Sequence, residues 1–360
     1  MKICHMTSVH QSTDIRIFVK ECCSLAANNN EVYLVAKGDS RDDGNVKVVG
    51  VGEPPSGRLA RMFSFSRSVY KKALSLDCEV YHIHDPELLP YAVKLARKGK
   101  KVIFDSHEDV PSQILDKNYL PKAVKWCVSK LYKKYETYAV RRISAVVAAT
   151  PHIGNQFRGR ARKIAVVNNF PKLDDIVFQD GPFEDRDRIV CYAGGINELR
   201  GEKVMLAAMK NVKGTLLIAG EHQKELLDLN ADSESMVEYL GKLDRAGIND
   251  LYAKAVVGLC LLQPANNYFD AQPIKMYEYM AAGIPFVCSD FPKWEELVTK
   301  SNSGVCVDPK DPAKIAAAVT TLLDDRVKAH QMGKNGRRLI EEKYNWNSEV
   351  KKLLKLYKKI

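Results

Sequence analysis

The chain has 360 residues, of which 46% are hydrophobic and 28% are charged, and this size and balance predict a globular protein with two domains. No apolar run approaches the ~20 residues that a membrane-spanning helix needs. The formal net charge is +11, and the excess lies in residues 1–170, which carry 28 Lys and Arg against 16 Asp and Glu. The basic half therefore favours an anionic partner, such as a membrane surface or a phosphorylated acceptor.

The amino terminus and the cysteines predict a cytoplasmic location. Residues 1–7 have the composition of a strand and lack the long apolar segment of a secretory signal. The nine cysteines are an odd number at irregular spacing, and several fall in apolar strand-like runs. We therefore expect buried free thiols in a reducing compartment, and the absence of paired C-x-x-C motifs argues against a structural zinc site.

Short β-rich apolar runs alternate with helical stretches along the chain. In the first half, the runs are Lys2–Met6, Val32–Ala36, Val46–Val51, Val80–His84, Val102–Asp105, Ala145–Ala149 and Ile164–Val167. In the second half, they are Arg188–Ala193, Thr215–Ala219, Val237–Leu240, Val256–Leu262, Pro285–Ser289 and Gly304–Val307. Most are apolar on both faces, as strands of a parallel sheet covered by helices are. The predicted fold class is therefore α/β, with two Rossmann-like doubly wound domains, because the strands are too many for one sheet.

Composition also predicts the domain boundaries. Residues 171–187 combine prolines, a glycine and many acids, and we interpret them as a linker between an N-terminal domain, residues 1–170, and a C-terminal domain, residues 188–343. Residues 344–360 contain a last predicted helix. The Asp185-Arg186-Asp187 sequence has the spacing of a metal-binding D-x-D motif, but it precedes a strand, so we interpret it as a solvated charge run.

One candidate ligand site follows the first strand of the C-terminal domain. In an open α/β sheet, ligands bind beyond the carboxyl ends of the strands. Gly194 and Gly195 stand there and allow the backbone to turn sharply and to approach a ligand. Arg200, with Lys203 as a second cation, then offers positive charge suited to a phosphate. The alternative is an ordinary strand–helix turn with a surface arginine.

A second candidate site lies between Asp270 and Glu278. Pro273 suits the first turn of a helix and Gly283 suits its end, and the free N–H groups at the start of such a helix bind anions. We expect Glu278 to accept hydrogen bonds from a vicinal diol, as on a ribose, and Asp270 to reach sugar hydroxyls. The alternative makes Asp270 a helix cap and Glu278 a surface residue.

These segments resemble those of the family 4 glycosyltransferases. The run from Asp270 to Pro285 resembles the E-x₇-E region of that family, and the run from Gly194 to Gly201 resembles its glycine turn with a basic phosphate contact. His82 to Asp85, Asp105 to Asp109 and Asn168 to Pro171 resemble segments of its N-terminal domain and hinge. The resemblance implies a GT-B fold, in which two Rossmann-like domains face a central cleft and the last helix crosses back to the N-terminal domain.

The resemblance also implies what the site binds. It implies a nucleotide-sugar donor held mainly by the C-terminal domain, and a sugar transferred with retention of its anomeric configuration. The further residues expected to contact the donor are Leu243, Gln272, Pro273 and Ile274. His107 is expected to contact the sugar or the acceptor, and the alternative is a loop histidine bonded to backbone. Gly195 stands where the family often has an arginine, which leaves Arg200 as the main cation.

Charge predicts how such a donor would react. Breaking the sugar–phosphate bond places charge on the leaving diphosphate, which Arg200, the Pro273 helix end and the Gly194-Gly195 backbone would stabilise. If these groups suffice, no metal ion and no other cofactor is needed. The expected catalytic residues are His107, Arg200, Asp270 and Glu278. UDP is the expected nucleotide, with GDP second, and the expected acceptor is a saccharide or a lipid-linked saccharide in surface polysaccharide assembly.

A basic amphipathic helix is predicted over Tyr119–Arg142. Its apolar residues share one face, and its basic residues gather away from that face with Trp126 among them. The apolar residues are Leu120, Val124, Val128, Leu131, Tyr135 and Tyr138, and the basic ones are Lys122, Lys125, Lys130, Lys133, Lys134 and Arg141. Together with a second basic stretch, from Arg58 to Lys72, this helix suits the anionic inner face of the plasma membrane. The alternative is an ordinary solvated helix face.

Two other functions remain open, and a third is not expected. A nucleotide-sugar 2-epimerase of the same fold would bind the same donor but would need no acceptor surface. A non-catalytic GT-B binding protein is also compatible, since Asp270 is shorter than the usual glutamate and Gly195 replaces an arginine. A nucleic-acid-binding protein would use the basic half, but the sequence has no RRM, KH or helix-turn-helix signature, so no nucleic-acid partner is expected.

Overall fold

The computed structural model of the chain forms two compact units. It describes residues 1–57, 60–115, 121–221, 236–265 and 268–360, apart from the side chains of Arg61 and Met236. Unit 1 comprises Met1–Asn169 and Trp346–Ile360, and unit 2 comprises Phe170–Asn345. Each unit contains one sheet with helices packed on it, as the alternation of strand and helix patterns predicts.

The sheet of unit 1 has eight strands in the order β3-β4-β2-β1-β5-β6-β7-β8. Their bounds are β1 Lys2–Met6, β2 Glu31–Ala36, β3 Arg41–Asp43, β4 Val46–Gly50, β5 Val80–Ile83, β6 Lys101–Ser106, β7 Ala145–Ala148 and β8 Ile164–Val166. Neighbouring strands are parallel except at the edge, where β3 pairs antiparallel with β4. The sequence pattern predicts every one of these strands except β3, which consists of three charged residues and carries no apolar signal.

The helices of unit 1 cover both faces of its sheet. They are α1 Cys23–Ala26, α2 Ser66–Ser75, α3 Leu89–Arg97, α4 Val110–Leu115, α5 Lys122–Val140 and α6 Pro151–Gln156, with π-helical turns at Ile15–Cys22 and Arg61–Phe65. Successive residues of β1 enter different apolar clusters: Ile3 packs in one and Cys4 in the other. Because side chains alternate along a strand, the two clusters lie on opposite faces of the sheet. This burial on both faces accounts for the continuous apolar runs.

The sheet of unit 2 has six parallel strands in the order β11-β10-β9-β12-β13-β14. The strands are β9 Ile189–Ala193, β10 Thr215–Ala219, β11 Met236–Gly241, β12 Val257–Cys260, β13 Phe286–Ser289 and β14 Gly304–Val307. The helices are α7 Glu202–Met209, α8 Arg245–Lys254, α9 Ile274–Ala282, α10 Pro292–Ser301, α11 Pro312–Asp324 and α12 Arg326–Glu342. The strand order changes direction between β9 and β12, the position at which doubly wound sheets bind ligands.

The segment predicted as a linker, residues 171–187, lies within unit 2 and is not a free connection. Phe183, inside this segment, is fully buried in the core of unit 2, as is Phe170 immediately before it. The prolines and the many acidic residues dominate the average composition of the segment, so composition alone indicates a linker and does not reveal the buried phenylalanine. Asp185 and Asp187 are exposed.

The last helix, α13 (Trp346–Tyr357), belongs to unit 1. Trp346 is buried there, and its indole Nε1 donates a hydrogen bond to Ser24 Oγ at 2.8 Å. Glu349 Oε2 accepts a hydrogen bond from the backbone N–H of Asn168 at 2.9 Å. The chain therefore enters unit 2 after Asn169 and returns to unit 1 at Trp346.

Helix α5 leaves most of its large apolar residues exposed. Its buried residues are Ser129, Glu136, Ala139 and Val140. The exposed apolar set contains Val124, Trp126, Val128, Leu131, Tyr135 and Tyr138. The predicted start of this helix at Tyr119 and Leu120, and the Arg58 end of the second basic stretch, lie outside the described residues. The apolar face that the sequence predicts is thus a surface feature of unit 1.

All nine cysteines are free thiols, as expected, and Cys127 is the exposed one. None of the described helices is both long enough and apolar enough to cross a lipid bilayer.

Candidate functional site

A glycine turn follows the carboxyl end of β9 in unit 2. Gly194 has a φ of 136°, and a Cβ atom on it would lie 3.3 Å from Lys275 Nζ. A Cβ atom on Gly195 would lie 2.5 Å from Arg200 Nη1, so a side chain at this position would displace the guanidinium group. The absence of side chains at both positions therefore allows two cations to approach the backbone of the turn.

Arg200, the residue predicted to contact a phosphate, is fixed against this turn. Its Nη1 donates a hydrogen bond to the carbonyl oxygen of Gly195 at 3.1 Å, and its backbone N–H donates to Asn197 Oδ1 at 3.0 Å. A guanidinium group has five N–H donors, and the bond to Gly195 uses one of them. Arg200 is thus held in place and can still donate to an anion.

Helix α9 begins at Ile274, directly after Pro273, and Gly283 ends it with a φ of 77°. No side chain caps the first turn of α9, so its amide groups can donate to a ligand. Gln272 lies just before the helix, and its buried Oε1 has no hydrogen-bond partner among the described residues. The start of α9 therefore combines free amide donors with an unsatisfied side-chain acceptor.

Lys275, in the first turn of α9, is a residue that the sequence interpretation missed. Its Nζ is buried 3.5 Å from the centroid of the Tyr192 ring and makes no hydrogen bond to any described residue. Burial lowers the pKa of Lys275 from 10.5 to about 8, and the nearby Arg200 lowers it as well. A buried ammonium beside Gly194 is therefore suited to an anionic ligand. The sequence feature that could have identified Lys275 as a site residue is its position three residues before Glu278, on the same face of the helix.

The low pKa of Lys275 predicts that stability rises at alkaline pH. Between pH 8 and 10.5, the unfolded chain holds a proton on Lys275 that folded unit 2 has released, so the free energy of unfolding increases with pH in this window. Relative to Lys275→Met, which lacks this proton, the wild type should gain up to about 3 kcal/mol. Urea unfolding of both proteins at several pH values measures the difference. Parallel pH profiles would contradict the prediction.

Glu278, on the same helix, is held by two protein donors. Its Oε1 accepts a hydrogen bond from Arg245 Nη2 at 3.0 Å, and its Oε2 accepts one from the Tyr252 hydroxyl at 3.0 Å. The side chain of Glu278 is 16% exposed, which does not fit the alternative of a free surface residue. Each carboxylate oxygen keeps a lone pair that a ligand hydroxyl can use.

The other residues of unit 2 that are predicted to contact the donor differ in their partners and in their exposure. Asp270 forms an ion pair with Lys293 of α10 and is partly exposed. Lys203 is largely exposed and pairs with a surface glutamate at 3.0 Å. Leu243 packs partly buried against the core of unit 2, and Ile274 is exposed.

In unit 1, His107 follows β6 and is held by a buried carboxylate. Its Nε2 lies 3.0 Å from Asp105 Oδ2, and Asp105 also accepts two hydrogen bonds from Arg16, each at 2.9 Å. Burial alone would raise the pKa of Asp105, but Arg16 and His107 outweigh burial and hold this pKa well below its ordinary range. The alternative of a histidine bonded to backbone therefore does not describe His107.

A chain of buried aromatic groups extends inward from His107. His84 Nδ1 lies 3.3 Å from His107 Nε2, and His84 Nε2 lies 2.9 Å from His5 Nδ1. The Tyr357 hydroxyl lies 3.4 Å from His5 Nε2 and 2.8 Å from His82 Nδ1. Burial lowers the pKa of His5 and of His82 well below the ordinary range, so these imidazoles are neutral.

Two protein-family models match the chain. The model described as glycosyl transferases group 1 matches residues 174–339, and the model described as glycosyltransferase family 4 matches residues 18–174. An uncharacterized glycosyltransferase of Methanocaldococcus jannaschii is 26% identical over 183 residues, which are 49% of this chain and 46% of that protein. The chain spans about half the length of the first curated relatives it matches.

Solved structures resemble the chain over its whole length. Sucrose-phosphate synthase from Thermosynechococcus elongatus has a TM-score of 0.77 and 16% identity, and the match covers 99% of this chain and 98% of that one. Anabaena HepE, solved in complex with UDP and glucose, has a TM-score of 0.74 and 14% identity, and the match covers 100% of both chains. At these identities, the likeness establishes the fold alone.

Proposed function

The chain belongs to the group 1 glycosyltransferases of family 4 and has their GT-B fold, and from this premise we propose that it transfers a sugar from a nucleotide diphosphate to an acceptor. The observation that carries the proposal is the buried ammonium of Lys275, which lies beside Gly194 and has no hydrogen-bond partner among the described residues. A diphosphate at the uncapped start of α9 would supply the missing negative charge.

The proposed chemistry follows from the charge of the leaving group. Cleavage of the sugar–phosphate bond increases the negative charge on the diphosphate, and Lys275, Arg200 and the first amides of α9 stabilise that charge because they are in place before the reaction. These protein groups replace a metal ion in this role, so the diphosphate needs none. The anomeric configuration is retained, with the donor phosphate accepting the proton of the attacking hydroxyl.

The remaining groups are assigned to the nucleoside, the sugar and the acceptor. Glu278 binds the ribose diol, Asp270 binds sugar hydroxyls, and His107 of unit 1 contacts the sugar or the acceptor. The nucleotide is UDP, with GDP as the second choice, and the support for UDP is its presence in Anabaena HepE, which shares the fold. The acceptor is a saccharide or a lipid-linked saccharide of surface polysaccharide synthesis, and the reaction takes place in the cytoplasm.

A screen of nucleotide sugars tests this function. UDP-hexoses should raise the unfolding temperature of the wild type, since a ligand at ~100 times its Kd adds about 2.7 kcal/mol of stability. Lys275→Met should abolish the increase. The donor that binds is then incubated with saccharide acceptors, and the anomeric proton of the product is examined by NMR. Release of an epimerised free nucleotide sugar, or donor binding that does not depend on Lys275, would contradict the proposal.

Helix α5 is the surface of unit 1 that supports contact with an anionic membrane. Trp126 is 55% exposed and Leu131 is 70% exposed, and neighbouring lysines such as Lys130 and Lys134 are exposed as well. An exposed apolar stripe edged by basic residues enters the interface of a bilayer that contains anionic lipids. This contact would hold the enzyme at the inner face of the plasma membrane, where a lipid-linked acceptor is located.

Charge reversal on α5 tests the membrane contact. The double variant Lys130→Glu with Lys134→Glu should bind vesicles of mixed anionic and neutral phospholipids at least about tenfold more weakly, because each basic residue near the surface contributes about 1 kcal/mol. Sedimentation with the vesicles measures the bound fraction. The matched control, Lys351→Glu with Lys355→Glu, has the same spacing on exposed positions of α13 and should bind normally. Equal losses in both variants would indicate non-specific attraction.

A further inference from the structure

Tyr192, the residue before the last one of β9, contacts two parts of the candidate diphosphate site. Its ring lies against the ammonium group of Lys275, whose Nζ is 3.5 Å from the ring centroid. Its hydroxyl donates a hydrogen bond to the carbonyl oxygen of Gly195 at 2.8 Å. The side chain of Tyr192 is fully buried. One rigid side chain therefore connects the first turn of α9 with the glycine turn after β9.

The carbonyl oxygen of Gly195 links Tyr192 to the second cation of the site. This oxygen accepts the hydroxyl of Tyr192 and also Nη1 of Arg200, the latter at 3.1 Å. A carbonyl oxygen has two lone pairs, so these two donors use its full capacity. The hydroxyl thus fixes the acceptor to which the guanidinium group is bonded. It thereby fixes the direction of the N–H groups of Arg200 that can still donate to an anion.

The ring of Tyr192 supports the ammonium of Lys275 without neutralising it. The face of an aromatic ring carries partial negative charge and attracts a cation that lies within about 6 Å of its centroid. This attraction is strongest where water is excluded, and Lys275 Nζ is buried without a hydrogen-bond acceptor among the described residues. A carboxylate in the same place would cancel the charge and repel a phosphate. The ring leaves the charge available to an anion.

We propose that Tyr192 is a positioning residue of the diphosphate site: its ring holds the ammonium of Lys275, and its hydroxyl holds the turn that directs Arg200 at the same anion. The inference rests on the proposed function, because it needs a diphosphate bound by both cations. Tyr192 itself does not touch the diphosphate, since its ring lies against one cation and its hydroxyl is bonded to the backbone.

The surroundings of Lys275 make the effect of the ring measurable. The titratable or charged side chains that face Lys275 from neighbouring elements are Cys191, Arg200, Cys260 and Glu278. Burial is the main cause that lowers the pKa of Lys275 to about 8. Burial also raises the pKa of Cys260 to about 12 and raises that of Cys191, so neither thiol is charged near pH 8. Replacing only Tyr192 therefore isolates the contribution of its ring.

The titration of Lys275 tests the role of the ring without any nucleotide. The full chain is labelled with ¹³C at the Cε atom of lysine, and the NMR signal that is absent from Lys275→Met identifies Lys275. Tyr192→Leu should lower the pKa of Lys275 by about one pH unit, because a buried cation–π contact and one pKa unit are similar in free energy. Tyr192→Phe keeps the ring and should keep the pKa. An unchanged or raised pKa in Tyr192→Leu would overturn the role of the ring.

Nucleotide binding tests the role of the hydroxyl. Calorimetry should show that Tyr192→Phe binds UDP about fivefold more weakly than the wild type, because a hydrogen bond that fixes the turn is lost. Uridine, which lacks the diphosphate, should bind equally to both proteins. Tyr81→Phe is the matched control: it removes a fully buried hydroxyl that accepts a backbone N–H in unit 1, and it should bind UDP normally.

The outcomes separate this inference from the proposed function. A wild type that does not bind UDP, or that binds it equally well after Lys275→Met, contradicts the proposed function itself. If UDP binding depends on Lys275 while Tyr192→Phe binds UDP as the wild type does, only the positioning role of Tyr192 is wrong. Circular dichroism checks the folding of each variant, and if Tyr192→Leu does not fold, Tyr192→Phe decides through its affinity for UDP.

Discussion

Lys275→Met is expected to lower kcat/KM for the nucleotide sugar about 100-fold. Methionine keeps the length of the side chain but removes the charge that the wild type buries beside Gly194. A desolvated charge pair contributes about 3 kcal/mol, and each 1.4 kcal/mol corresponds to a factor of ten. Calorimetry with UDP, UMP and uridine separates the contributions of the groups: the variant should lose affinity for UDP and should bind uridine as the wild type does.

The same substitution should stabilise the protein when no donor is bound, because an ammonium group no longer has to be kept without a hydrogen-bond acceptor. Lower affinity together with a higher unfolding temperature is the combination expected of a binding residue. Lys314→Met, at an exposed lysine 3.6 Å from Asp311, is the matched control and should change neither quantity. If Lys275→Met weakened uridine binding as strongly as UDP binding, the assignment of Lys275 to the diphosphate would be wrong.

The fold could largely be predicted from the sequence, because strands that are buried on both faces appear as short continuous apolar runs. The runs from Lys2 to Met6 and from Thr215 to Ala219 are strands with the predicted bounds. The edge strand β3 escaped prediction, since a strand that only extends a sheet edge needs no apolar residues. The segment 171–187 was misjudged for the opposite reason: two buried apolar residues, Ile176 and Phe183, outweigh its polar composition in deciding where the chain packs.

Only part of the candidate site could be predicted from the sequence, because the chemistry of its residues depends on their burial. Gly194, Arg200 and Glu278 stand in motifs, so sequence alone could single them out. Lys275 looks like an ordinary helix lysine until the structure shows its ammonium enclosed beside Tyr192. Lys203 looks equally suitable in the sequence, but its side chain is largely exposed and paired with a glutamate. The sequence alone does not reveal which of the two lysine side chains is buried and therefore desolvated.

The histidine cluster of unit 1 could likewise be predicted from the sequence only in part. His84 and His107 are 23 residues apart, and they meet because β5 and β6 are neighbours in the sheet. Each follows its own strand, so strand order predicts their proximity. The contact of Tyr357 with His82, by contrast, joins residues 275 positions apart and depends on the last helix packing in unit 1. No short motif records a cluster assembled from such distant segments.

Helix α5 illustrates why periodicity does not determine burial. Its apolar residues share a face, as predicted, yet the residues that pack against the rest of unit 1 are mainly small or polar, such as Ser129 and Ala139. Glu136 can be buried because Arg160 Nη2 donates to it at 2.9 Å. The apolar face therefore stays largely exposed, although Arg97 donates a hydrogen bond to the hydroxyl of Tyr138, and an interfacial role is the proposal that accounts for this exposure.

The environment of Glu278 defines what its substitution should do. Arg245 and Tyr252 each donate one hydrogen bond to the carboxylate, which fixes its plane and leaves one lone pair on each oxygen. Two lone pairs at this separation match the two hydroxyls of a ribose. Glutamine at this position has one oxygen and one NH₂ group, so it can accept from only one of the two protein donors and must present N–H groups to the other.

Glu278→Gln is therefore expected to lower kcat/KM about 100-fold, because it removes a charge-assisted bond to the diol and leaves a protein donor unpaired. The decisive measurement compares the Kd of UDP with that of 2′,3′-dideoxy-UDP in both proteins. The wild type should prefer UDP strongly, and the variant should bind the two nucleotides almost equally. Glu296→Gln, at an exposed glutamate of α10, should keep the wild-type preference. An unchanged preference for UDP in Glu278→Gln would show that another group reads the ribose, and the proposed orientation of the nucleotide on α9 would then be incorrect.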